Sequence, residues 1–201
     1  MRFKNFLEEV LGSKTKVKVL RVFAKFPAKE FIEDELERLL KIPHQSIAYA
    51  LKDLVNYQVI NIRQIGKSRI YTLNQDNYIS KEILAPVFRG EEKALDELVG
   101  EIRFAFTPLN VQKVILYGSI ARGEEEPSSD IDLLIVIPRK SQVEEVEDVT
   151  GKLKSKVIKR FGNTISPIIM TAEEYEIQRA EGKQLVKKAE EEGITVVKGA
   201  K

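Results

Sequence analysis

From residue 111 onward the chain switches repeatedly between strand-like and helix-like patterning, and this alternation restricts its fold more than any other feature. Val111–Tyr117 and Ile131–Ile137 are apolar strand segments separated by a helical turn from Ser119. A helix over Gln142–Arg160, a strand over Thr164–Met170, helices over Ala172–Ala180 and Lys183–Glu192, and a strand over Ile194–Val197 follow. Each element must bury its apolar side against another, so the pattern predicts an α/β or α+β domain built on a mixed sheet.

The N-terminal part reads differently. Val17, Val19, Leu20, Val22 and Phe23 recur at helical spacing from Lys14 to Phe26, where Pro27 stops the pattern. A second helix is expected from Lys29 to Leu40. A third is expected with Pro43 in its first turn and Ile47, Ala50, Leu51, Leu54 and Val55 inward. The period then drops to two: Val59–Gln64 and Arg69–Leu73 are strand candidates around the turn Ile65-Gly66-Lys67-Ser68. Three helices and a hairpin in this order resemble the winged helix-turn-helix domains of small transcriptional regulators. The resemblance implies that the third helix enters a DNA groove, with His44, Gln45, Ser46, Tyr49 and Lys52 exposed upon it and Lys67 and Arg69 on the hairpin. Charge agrees with a polyanionic partner: residues 1–75 carry 14 basic and 8 acidic side chains, 14 − 8 = +6, against 19 − 23 = −4 for residues 76–201. Residues 76–110 read as helical, with Gly90 as an expected interruption.

The chemistry is concentrated in LYGSIARGEEEPSSDIDLLIVIP, Leu116 to Pro138. A strand ends at Gly118-Ser119 where a helix begins, an arrangement that suits a phosphate. After ten intervening residues Asp130 and Asp132 stand two apart at the head of the next strand, where alternate side chains share a face. Paired hard carboxylates beside a phosphate cradle form a Mg²⁺ site with positions open to triphosphate oxygens. The pattern resembles the nucleotidyltransferase superfamily of DNA polymerase β, above all its minimal members, whose signature is Gly-Ser, ten residues, then Asp-x-Asp. The resemblance implies that Gly118, Ser119, Arg122 and Ser129 hold an NTP, and that Asp130 and Asp132 bind Mg²⁺ or Mn²⁺ and are catalytic. It also implies a third carboxylate on the strand after the long helix. That strand contains none, and Ser166 stands where the acid would align.

The expected organisation is therefore a winged helix-turn-helix domain at 1–75, a helical connector at 76–110 and a nucleotidyltransferase domain at 111–201, an α+β chain overall. Two functions stay open. One is an enzyme transferring a nucleoside monophosphate to an acceptor hydroxyl, and the acceptor can be a protein, because minimal relatives of the family act as antitoxins that modify a toxin. The other is a DNA-binding regulator whose degenerate transferase domain senses nucleotide or mediates assembly. A homodimer is expected in either case. With no cysteine there is no thiolate chemistry, and a single His44 has no sequence neighbour with which to form a metal site. No apolar run approaches the ~18 residues of a membrane span, which leads us to expect a cytoplasmic protein.

Overall fold

The computed structural model describes residues 4–199 and divides into two compact units between Lys93 and Ala94. The N-terminal unit contains helices α1 (Leu7–Leu11), α2 (Lys14–Lys25), α3 (Glu33–Leu40) and α4 (His44–Asn56), then strands β1 (Ile60–Ile65) and β2 (Ser68–Leu73). A π-helical segment, Ile79–Leu84, leads into α5 (Ala85–Phe106).

Here the order of elements follows the periodicities, with three corrections. The second helix begins at Glu33 rather than Lys29. Phe31 is extended instead: its amide donates to the Tyr71 carbonyl at 3.0 Å, and the Tyr71 amide returns the bond at 2.8 Å. Burial of the Phe31 ring edge-on against Phe23, with centroids 5.1 Å apart, outweighs the helical period that its neighbours suggest. Glu33, Asp34 and Glu35 then occupy the first turn of α3, where carboxylates meet the positive end of the dipole. Pro43 sits just before α4 and not within it. Finally, Gly90 interrupts nothing, because α5 runs through it for 22 residues. A helical glycine costs only about 1 kcal/mol against alanine. Burial of Phe88 on one side and of Leu98, Ile102 and Phe106 on the other offsets that cost. The hairpin closes through Gly66 at φ +60°, the positive value that a two-residue turn requires at its first position.

The C-terminal unit holds β3 (Lys113–Tyr117), α6 (Ser119–Arg122), β4 (Ile131–Ile137), α7 (Val143–Phe161), β5 (Ile165–Thr171), α8 (Ala172–Ala180), α9 (Gln184–Glu192) and β6 (Ile194–Lys198). Its sheet runs β5-β4-β3-β6; β3 is antiparallel to β4 and β6, while β5 is parallel to β4. A mixed sheet is thus present as expected. The β4 sequence is almost wholly apolar because both faces are covered. Leu133, Ile135 and Ile137 pack toward α5 and α7, whereas Leu134 and Val136 share a cluster with Tyr175 of α8 and Val186 of α9. Full burial of each such side chain stabilises by roughly 1.5–3 kcal/mol, enough to hold the charged end of β4 in place. No helix among the described residues is long and apolar enough to cross a membrane.

Candidate active site

The strands place the two aspartates. Asp130 directly precedes β4 and Asp132 is its second residue, with buried Ile131 between them in the α5 and α7 cluster. Alternation therefore assigns Asp132 to the other face, the one that α8 and α9 cover. On that face Asp132 pairs with Tyr117 across β3 and with Ser166 across β5. Burial, then the negative charge of Asp130, hold the Asp132 carboxyl above its ordinary range. The same carboxylate, after burial, pushes the Tyr117 phenol up. Among the described residues neither aspartate has an ion-pair or hydrogen-bond partner for its side chain. Two like charges at a half-buried strand end, with no protein cation between them, are the donor set that a hard divalent ion neutralises.

Gly118 is fixed by the same carboxylate. It has φ +81° and ψ −156°, a region open essentially to glycine alone, and a methyl group built on it would lie 2.3 Å from Asp132 Oδ2. Gly118→Ala should therefore cost about 1–3 kcal/mol in stability from backbone strain alone. It should also displace Asp132, and with it any metal-dependent nucleotide binding. Thermal melts and calorimetry on one preparation would check both effects, and an unchanged nucleotide affinity would separate Gly118 from the site.

The remaining motif residues divide. Ser119 opens α6, which is only four residues long and starts against Gly118. Arg122 is turned to carboxylates: it donates to Glu124 Oε2 and Glu192 Oε2, both at 2.7 Å, and these bonds raise its guanidinium pKa. Ser129 serves the loop, since its hydroxyl accepts from the Glu126 amide at 2.8 Å and its carbonyl accepts from Asn163 Nδ2 at 2.9 Å. Sequence reasoning missed Glu192, Asn163 and Tyr117. The first two lie 70 and 34 residues from their partners, and no local pattern marks them. The acidic residues of α7 and α8 do not supply a third carboxylate. Glu147 lines a cleft with Pro167 and Ile169, residues that alternate with Ser166 along β5 and so belong to the opposite face. Asp148 pairs with Lys152 at 2.6 Å. Glu174 forms a reciprocal capping box with Thr171, whose hydrogen bonds hold its carboxyl below the usual range.

In the N-terminal unit, Gln45, Tyr49 and Lys52 are exposed along α4, Tyr49 by 62%, and Ser46 is half-buried. His44, Lys67 and Arg69 converge on one polar cleft of about 370 Å³ with Glu33 and Asp34. His44 Nε2 lies 3.2 Å from Glu33 Oε2 and 3.6 Å from Asp34 Oδ1. This corrects the expectation that His44 has no partners, because the α3 to α4 turn brings ligand atoms of Asp34, Glu37 and His44 within 4.8 Å of one another. Partners ten and seven residues away are joined by the turn, which sequence spacing alone does not reveal.

A helix-backed mixed sheet, with a Gly-Ser turn ending one strand and paired aspartates opening its neighbour, is the frame of a nucleotide-handling domain. The profile of the nucleotidyltransferase domain family matches residues 95–196, and the chain belongs to that family. Two proteins of Methanocaldococcus jannaschii are similar to it. The one named "Putative protein adenylyltransferase MJ0604" is 34% identical over 84 residues, 41% of this chain and 76% of its own length. "Putative protein adenylyltransferase MJ0141" is 36% identical over 59 residues, 29% of this chain and 59% of its own length. Among solved structures, a toxin-antitoxin crystal structure with AMP-PNP matches 54% of this chain and 75% of that one, at 15% identity and a TM-score of 0.36.

Proposed function

We propose that the C-terminal unit transfers a nucleoside monophosphate from an NTP to an acceptor hydroxyl, with ATP as donor and a protein as acceptor. The names of the two archaeal relatives support that choice of donor and acceptor. The observation that carries the reading is the unpaired couple Asp130 and Asp132 beside Gly118. In this proposal the aspartates hold Mg²⁺ or Mn²⁺, and Gly118 and Ser119 receive the triphosphate. Arg122 reaches it only by leaving Glu124 and Glu192, and Ser129 contributes by fixing the loop ahead of Asp130. A bound divalent ion supplies charge neutralisation for the phosphates and the leaving pyrophosphate. The chain's own part is to place the carboxylates, exclude the β4 backbone from water and hold the triphosphate against the strand end. Calorimetry with each of the four NTPs, in Mg²⁺ and in EDTA, tests the reading. ATP should bind in Mg²⁺ and lose its heat in EDTA; silence from all four NTPs in Mg²⁺ would sink it.

A second reading, a DNA-binding regulator that uses nucleotide as a signal, is favoured by one observation: Asp132 is paired across β5 with Ser166 where a third acid would be needed. Pyrophosphate release separates the two, since a sensor binds ATP without producing any.

We propose further that residues 1–75 form a winged helix-turn-helix that contacts duplex DNA, in a homodimer, through α4 and the hairpin. Support comes from the helix, helix, helix, hairpin order, the exposed α4 side chains and the +6 charge. Glu33 lies 3.9 Å from Arg69, so part of that positive charge is locally neutralised. Removing Lys52, Lys67 or Arg69 should weaken binding to all sequences alike and flatten the salt dependence by about one counterion each. Changing Gln45 should alter sequence preference instead. Mobility shifts at several salt concentrations decide this, and a protein that retards no duplex at low salt refutes it. The dimer is checked by sedimentation of the same sample.

A further inference from the structure

Away from the transferase site, Asp34, Glu37 and His44 meet where α3 turns into α4. Each offers one ligand atom, and the three atoms lie within 4.8 Å of one another, the one such set of His, Asp or Glu side chains among the described residues. Asp34 and Glu37 stand three apart on α3 and so share a helix face. His44 is the first residue of α4, carried over them by the short turn that Lys41 opens at φ +53°.

No lysine or arginine among the described residues pairs with either carboxylate. Two like charges at this helical spacing repel. Arg38 is one turn from Asp34, but its Nε donates to the Asp34 backbone carbonyl at 3.3 Å and not to the side chain. The Asp34 carboxylate meets only His44, at 3.6 Å, and the Glu37 carboxylate has no ion-pair or hydrogen-bond partner among the described residues. Glu33 is engaged differently: it accepts from the Tyr71 phenol and lies 3.9 Å from Arg69, which ties it to the hairpin.

An imidazole nitrogen with two carboxylate oxygens is a donor set for a borderline divalent ion such as Zn²⁺, whereas Mg²⁺ takes oxygen ligands. Around a tetrahedral ion with bonds of ~2.0–2.2 Å, ligand atoms stand roughly 3.3–3.6 Å apart. Asp34 and His44 are already at 3.6 Å, and Glu37 closes the remaining gap by rotation of its side chain. Asp34 and His44 also line the polar cleft of about 370 Å³, which gives an ion a route in and room for water as a fourth ligand.

We propose that Asp34, Glu37 and His44 bind one Zn²⁺ ion, which links α3 to the start of α4. Zn²⁺ is titrated by calorimetry into the full, untagged chain carrying Asp130→Ala and Asp132→Ala, so that the proposed transferase site contributes nothing and its failure would leave the result intact. One Zn²⁺ should bind with a Kd on the order of micromolar, and Mg²⁺ at the same concentration should not bind. His44→Gln and Glu37→Gln should each weaken Zn²⁺ at least tenfold. Zn²⁺ should raise the melting temperature of the parent but not of His44→Gln. His44 is the chain's single histidine, so its imidazole ¹⁵N signals need no assignment, and Zn²⁺ should shift that of Nε2. If His44 serves only as a charge partner of Glu33 and Asp34, Glu37→Gln will bind Zn²⁺ as the parent does, and the site is refuted. Equal affinity in His44→Gln, or no saturable Zn²⁺ binding below about 100 µM, would also overturn the proposal.

Discussion

Replacing both carboxylates of the proposed metal site, as Asp130→Ala with Asp132→Ala, should abolish Mg²⁺-dependent nucleotide binding while the protein stays folded. Loss of outer-shell partners alone weakens metal sites by ~10–100-fold, so removal of the ligands should exceed that range. Stability should move the other way. The Asp132 carboxyl is held above the ordinary aspartate range by burial and by Asp130. A carboxyl whose folded pKa is raised lets the folded state bind the proton more tightly than the unfolded state. Its charge therefore counts against the fold at neutral pH, and the cost vanishes as pH falls through the folded value to below the unfolded one. In EDTA at pH 7, Asp132→Asn should accordingly melt higher than wild type, and the difference should close below pH ~4. Mg²⁺ should narrow it from the other side, by stabilising only the wild type. If the double variant binds nucleotide in Mg²⁺ as wild type does, the carboxylates are not the site. If Asp132→Asn melts lower at pH 7, the repulsion assigned to the pair is absent.

How far the fold was legible depended on whether the decisive contact was local. β4 was readable to the residue, because Ile131–Ile137 is an apolar run bounded by Asp130 and Pro138, and α8 likewise, because Thr171 and Glu174 spell its cap. The start of α3 was not, since Phe31 leaves the helical pattern only by pairing with Tyr71, forty residues later. Gly90 misled for a related reason: a weak local preference gave way to burial on both flanks. At the site, Gly118, Asp130 and Asp132 were visible as spacing, and the sheet explains why that spacing works, for it brings Gly118 against Asp132. At Arg122 the local pattern is not enough. Its place in the motif led to the expectation that it holds phosphate, but in the fold it donates to Glu192 from α9, which no pattern near residue 122 announces. His44 shows the same limit in the other direction, gaining acidic neighbours through a turn.

Ser166→Asp should raise nucleotidyl transfer, or convert binding without turnover into measurable pyrophosphate release. The register gives the reason: Ser166 is the direct β5 partner of Asp132, and the chain places no carboxylate anywhere on that strand. Pro167, which could have displaced this alignment, does not, because β5 lies at the edge of the sheet, where a missing amide is tolerated. An acid at residue 166 would stand beside the existing pair, able to share a metal and to accept the proton of the attacking hydroxyl. General-base assistance contributes typically ~10²–10⁴-fold, so an increase of that order is expected where the wild-type rate is low. The same substitution adds a third negative charge to an already repulsive corner, and should lower the melting temperature in EDTA while Mg²⁺ restores it. Ser166→Asn, similar in shape but neutral, should do neither, which separates charge from packing. Wild-type turnover already at the ~1–10³ s⁻¹ common to enzymes would show that the chain needs no acid here. Equal rates in Ser166→Asp and Ser166→Asn, with Mg²⁺ and ATP bound in both, would show that an acid at this position is not what limits transfer.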